Sequence, residues 1–380
     1  MKRQRVAYLV LAVVAILFSA PVSADDRSLE ERVASLEKTF AGIKIYGSMR
    51  LSTFYSDADT GPGTDDQGLK WDLQSNSRIG ATVTKDRLTG SYELGVDDDA
   101  SVSTRKLFGI YDMGWGSVLV GQNNPILGNM FYSNQVFFDD LDLCGWGAIF
   151  ETRLPQVKLK VKGLEIALLE DKASSALNAA TGTGNSGDVD VLMPKLEVGY
   201  HIDQPRFFAD VFGGAFSFKV EDVTLNSVAY GDETVNCWVA GVGGGLQLDP
   251  AYVKVQGYYA HNGKNFGIIQ QDAVGAQLDA SGSVVNETNV GTHLVVGSTV
   301  GTCTVEAGFG YAYSQLEDPV GAYGDDKNTC MSYYLNVVVP VYGRFFIVPE
   351  VGVLDYGDNS FGDDEEKSTW YAGAKWQIDF

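Results

Sequence analysis

WYAGAKWQIDF, residues 370–380, closes the chain. In an extended strand successive side chains alternate between two faces. Trp370, Ala372, Ala374, Trp376, Ile378 and Phe380 therefore share an apolar face, opposed by Tyr371, Lys375, Gln377 and Asp379. Ten steps at ~3.3 Å, tilted ~45°, cover about 23 Å, which matches the ~25 Å apolar belt of a transmembrane β-barrel. The aromatic ends of the face fall where such barrels carry their interfacial girdles.

The same period of two runs back to Ile43. Ile43, Ile45, Met49 and Leu51 oppose Lys44, Ser48, Arg50 and Ser52, and Val157-Lys158-Leu159-Lys160-Val161-Lys162 alternates without a fault. A water-soluble sandwich would show this alternation too, with the apolar face as a shared core. The connections favour a barrel. Seven are short, at 85–89, 114–116, 154–156, 201–205, 249–251, 301–302 and 340–343. They alternate with long segments around 57–67, 97–104, 123–143, 170–188, 219–233, 262–288, 314–328 and 356–367. Short turns on one rim and long loops on the other are the signature of an outer-membrane barrel. Eight loops and seven turns give an all-β, antiparallel up-and-down transmembrane barrel of about 16 strands over 43–380.

The N-terminus agrees. Lys2, Arg3 and Arg5 precede an apolar run from Val6 to Phe18, and Val22-Ser23-Ala24 supplies small residues for cleavage. This is the pattern of a signal peptide, residues 1–24, and the run is too short for a spanning helix. The mature chain would begin at Asp25. In residues 25–42, Leu29, Val33, Leu36 and Phe40 recur at helical spacing, which predicts a short amphipathic helix or a linker.

Cleavage removes three of the 28 basic residues and none of the 49 acids, so the mature formal charge is 25 − 49 = −24. That balance excludes nucleic acid as a partner, since phosphate binding needs clustered Lys and Arg. Acid runs at Asp65-Asp66, Asp97–Asp99, Asp139-Asp140, Asp325-Asp326 and Asp363–Glu366 all fall in long loops, which places the negative charge on one rim. There they would be solvated or bridged by divalent cations to lipopolysaccharide, with outer-membrane lipid around the belt. Four cysteines lack CxxC spacing and three histidines lie far apart, so neither a metal site nor a cofactor is expected. Gly182–Gly187 matches GxGxxG but has no βαβ context, and there is no nucleophile elbow or P-loop.

SNSRIGATVTKDRLTGSYELGVD (75–97) and RKLFGIYDMGWGSVLVGQNNP (105–125), with the terminal Phe380, resemble the general trimeric porins of Gram-negative bacteria. The resemblance implies a homotrimer, a last strand read by the barrel-insertion machinery (Trp376, Ile378 and Phe380), and a third loop folded into the lumen. By position that loop is about 123–143, with Asp139, Asp140 and Asp142 as its acids. The facing basic wall would include Arg78 and Arg105, joined by Arg50 and the lysines Lys158, Lys160 and Lys162. Alternation leaves open whether Arg105 or Lys106 points inward.

The function implied is a passive diffusion channel for ions and small hydrophilic solutes, weakly cation-preferring through the three loop aspartates. The lysine ladder suggests a second possibility, a channel selective for anionic solutes. A tethering or adhesive barrel is a third. An enzyme would need a Ser/His/acid set that the chain does not present.

Overall fold

The computed structural model describes residues 42–59, 66–96, 101–170, 178–179, 184–185, 189–225, 228–279, 281–317, 327–357 and 368–380. The signal peptide and the helix expected at 25–42 fall outside these residues, save Gly42, as do Asp97–Asp99 and Asp363–Glu366.

Among the described residues sixteen antiparallel strands close into one barrel. They are β1 (Ile43–Asp59), β2 in two pieces (Asp66–Leu73 and Arg78–Lys85), β3 (Leu88–Val96), β4 (Val102–Asp112), β5 (Ser117–Asn123), β6 (Leu154–Val161), β7 (Leu164–Leu169) and β8 (Val189–Gln204). The second half is β9 (Phe207–Leu225), β10 (Val228–Gln247), β11 (Ala251–His261), β12 (Glu287–Val300), β13 (Cys303–Leu316), β14 (Lys327–Tyr342), β15 (Phe345–Asp355) and β16 (Ser368–Asp379). Each pairs with its sequence neighbours. β16 closes the ring on β1, from Ser48 opposite Asp379 to Asp59 opposite Ser368. Closure pairs the first strand with the last, the condition for sheet in a bilayer.

The outer face carries an apolar belt. Leu69 and Trp71 on β2, Val242 on β10, and Trp370, Trp376, Ile378 and Phe380 at the C-terminus are all exposed. Such a continuous apolar belt has no stable state in water and is a lipid-facing surface. The terminal residue completes the closure: Phe380 and Gly47 exchange two backbone hydrogen bonds of 3.1 Å. A Cβ at Gly47 would lie 2.2 Å from the Phe380 ring, so only glycine admits it there. Deleting Phe380 should therefore lower the yield of heat-modifiable barrel in the outer membrane. An unchanged yield would mean that the last pair contributes nothing to closure.

One short connection differs from expectation. Leu154–Gln156 is not a turn but the start of β6, and the chain reverses at Lys162-Gly163. Lys162 takes a positive φ of 53° in that turn and is exposed at the rim, so it is not a wall residue. The third loop is correspondingly longer, running from residue 124 to 153. The residues Cys144–Arg153 resemble a strand in sequence because Trp146, Ala148 and Phe150 alternate. In the fold these side chains pack inside the barrel, and Trp146, Ala148 and Ile149 are buried.

Candidate functional site: the channel interior

The third loop folds into the lumen and follows the inner wall, held chiefly by wall carboxylates that accept its backbone N–H groups. Glu197 on β8 accepts from Ile126 (2.7 Å) and Leu127 (3.1 Å). Glu306 on β13 accepts from Asn134 at 2.7 Å and from the hydroxyl of Tyr334 at 2.6 Å. Glu350 on β15 accepts from Val136 (2.7 Å) and Phe137 (2.9 Å). Each carboxylate sits on the inward face of its strand and is buried. Two or three donors on one carboxyl group replace the water it loses on burial. These acids show that the negative charge is not confined to the rim. In sequence each is a lone acid between apolar or glycine neighbours, as in Glu197-Val198-Gly199 and Glu350-Val351-Gly352.

The tip of the loop is clamped by the break in β2. Gln74–Ser77 interrupts the strand, and Gln74 donates to the carbonyls of Val136 (3.1 Å) and Phe138 (2.7 Å). Asp139 accepts from the Asn76 backbone at 2.7 Å and from the Ser75 hydroxyl. Asp140 is held between Arg50 and Lys375, the latter at 2.7 Å. Asp142 bonds neither clamp; burial, then the nearby Asp140, pushes its carboxyl well above the usual range. Of the three predicted constriction acids, two are thus spent on wall contacts and the third is driven toward its neutral form.

The basic residues divide in a similar way. Arg105 is buried and donates to Glu93 (2.9 Å), the Ser75 carbonyl (3.0 Å) and Asn76 Oδ1 (2.7 Å). It braces the clamp. A β-bulge answers the question left by alternation: Glu93 pairs with Lys106 and Leu94 with Thr104, which makes Arg105 the extra residue. A bulge sets two neighbouring residues against one on the partner strand, and here both Arg105 and Lys106 turn inward. Arg78 sits 4.0 Å from Glu93 and keeps 29% of its side chain exposed. Arg153, at the end of the loop, completes the group; sequence reasoning misses it because its segment resembles a strand. Among the described residues its buried Nε has no hydrogen-bond partner. Burial, then repulsion from Arg105, pulls its guanidinium down to about 10, so it stays charged at neutral pH. Lys158 and Lys160 face inward toward the turn rim, where Glu165 takes both, at 3.2 Å and 2.7 Å.

Around the clamp, six basic side chains (Arg50, Arg78, Arg105, Lys106, Arg153 and Lys375) outnumber four acidic ones (Glu93, Asp139, Asp140 and Asp142). Among the described residues, Arg78, Lys106 and Arg153 form no ion pair with a loop acid.

No protein-family profile matches the chain, and no curated sequence is significantly similar to it. Solved structures resemble it in fold. The outer-membrane channel DcaP of Acinetobacter baumannii aligns with a TM-score of 0.67 at 14% identity, over 89% of this chain and 97% of that one. The anion-selective porin from Comamonas acidovorans gives 0.58 at 11% identity, over 89% and 99%. OprB of Pseudomonas putida gives 0.54 at 12%, over 92% and 96%. The chain has the fold of the outer-membrane porins, a sixteen-stranded barrel.

Proposed function

We propose that the chain is a passive diffusion channel of the outer membrane with a preference for anions, rather than the weak cation preference expected from its loop aspartates. The observation that carries this is the surplus of basic side chains around Arg78, Lys106 and Arg153, set against Asp139 and Asp140, which are already bonded to the wall. Charges inside a narrow lumen act on a passing ion within a Debye length of about 8 Å at physiological salt, whereas rim acids face screening water. The structure of an anion-selective porin among the fold's neighbours accords with this reading.

In a salt gradient across a planar bilayer, the reversal potential should carry the sign of anion preference. Replacing Arg78, Lys106 and Arg153 by glutamine should move it toward cation preference. A native potential of cationic sign would restore the loop aspartates as the selectivity element. Current that saturates with one anionic solute would mark a substrate-selective channel instead of a general one. The reading includes cleavage after Ala24, insertion through the last strand, contact with lipopolysaccharide at the loop rim and assembly as a homotrimer. Cross-linking of the folded protein in membranes tests the last.

A further inference from the structure

The third loop is not alone in the lumen. Between β11 and β12 the sixth loop, described over 262–279 and 281–286, also turns inward, and we propose that it is a second fixed element of the constriction. It fills the half of the channel under β8–β14 and carries the return arm of the third loop.

The first observation is an anomaly in the wall. Alternation assigns Phe212, Phe216 and Phe218 of β9 and Val235 and Val239 of β10 to the lumen side, where a water-filled pore wants polar groups. All five are buried. What covers them is the sixth loop, whose Phe266, Ile268, Ala276 and Leu278 join the same apolar cluster, together with Leu127 and Ile149 of the third loop that it carries. An inward apolar face is stable only while covered, so the cover is a permanent part of the fold rather than a mobile lid.

The second observation is how the loop is fastened. At its feet, Gly263 N–H donates to Asn289 Oδ1 (2.8 Å) and Glu287 N–H to Asn262 Oδ1 (2.8 Å). The Glu287 carboxylate then accepts from the backbone of Val274 (2.8 Å) and Gly275 (2.9 Å). At its far reach, Asn328 on β14 donates to the Asp272 carbonyl at 2.8 Å. The loop therefore crosses from β11 to β14 over the inner face.

Third, it holds the neighbouring loop. Ile269 N–H donates to Phe150 O (3.0 Å) and Gln271 N–H to Gly145 O (2.9 Å). Lys195 on β8 bonds both Glu151 of the third loop and the Phe266 carbonyl of the sixth. The two loops form one body, and solutes are left the side of the lumen bearing Arg78, Lys106 and Arg153.

The test replaces residues 265–284 by a short Gly-Ser linker and measures single-channel conductance and uptake of uncharged sugars of graded size. Sugars make the result independent of ion selectivity. Conductance through a water-filled pore follows its open cross-section, so it should rise on the order of twofold, with a larger sugar cutoff and noisier open-channel current. A heat-modifiable, folded variant with native conductance and cutoff would overturn the proposal. Should the replacement not fold, Glu287→Ala serves: it frees Val274 and Gly275 while leaving the apolar cover in place. Increased open-channel noise supports the proposal, and native, quiet current overturns it.

Discussion

Lys195→Met should destabilise the barrel more than any other single change in its interior, by about 3 kcal/mol or more. Lys195 is 2% exposed, bonds Glu151, and lies 4.0 Å over the Phe266 ring. Glu151 also meets the carboxyl of Glu197, and one oxygen on each acid is buried without a donor from any other group among the described residues. Two acids in contact must share a proton or be held by a cation, and here Lys195 is that cation. Methionine keeps the volume and leaves both acids uncompensated. Burial, then the contact with Glu197, already pushes the Glu151 carboxyl well above its ordinary range. A carboxyl that binds its proton more tightly when folded makes the native state richer in protons than the unfolded one, so stability falls as pH rises. The variant's deficit should deepen as pH climbs above the ordinary carboxyl range. Loss of heat-modifiable mobility against temperature, followed at several pH values, measures it. A deficit that does not change with pH would show that the pair is not what Lys195 stabilises.

The second large effect is expected at the tip of the third loop. Asp140→Asn leaves Arg50 and Lys375, with side chains 11% and 6% exposed, facing each other without an anion. Breaking such a buried arrangement is worth about 3 kcal/mol. The barrel should survive, because the carboxylates on β8, β13 and β15 still hold the loop, but the tip should come free. Chymotrypsin should then cut at Phe137 or Phe138, and anion preference should increase. Asp142→Asn should do almost nothing, since burial already drives that carboxyl toward its uncharged form and the amide has the same shape. If the two substitutions behave alike, the salt bridges at Asp140 do not hold the tip.

Strands and closure are legible because a lipid-facing wall imposes the period of two on every strand, most plainly on Trp370–Phe380. The lumen is less legible for a physical reason. Apolar residues look the same in sequence whether they face lipid or are buried against the inner wall. Trp146, Ala148 and Phe150 accordingly resemble a strand, which ends the third loop ten residues early, at 143 instead of 153. The signal for the sixth loop is present, since β9 carries Phe212, Phe216 and Phe218 where a pore strand should be polar. The basic site is legible in part. Arg78 can be placed by its motif, but a bulge defeats alternation at Arg105-Lys106, and Arg153 lies inside the strand-like segment of the loop. For Asp139 and Asp140, position in the loop is readable, while their bonds to β2, β1 and β16 depend on closure of the barrel.

The wall grips both internal loops largely by their main chain. Glu197, Glu306, Glu350 and Glu287 take N–H groups of Ile126, Leu127, Asn134, Val136, Phe137, Val274 and Gly275. Every residue except proline offers that same donor. Positions such as Phe131 and Phe138, exposed on the third loop, are therefore open to replacement without loss of the loop's path. The channel separates what shapes its passage from what a solute touches, and its permeability can be redesigned one side chain at a time on an unchanged frame.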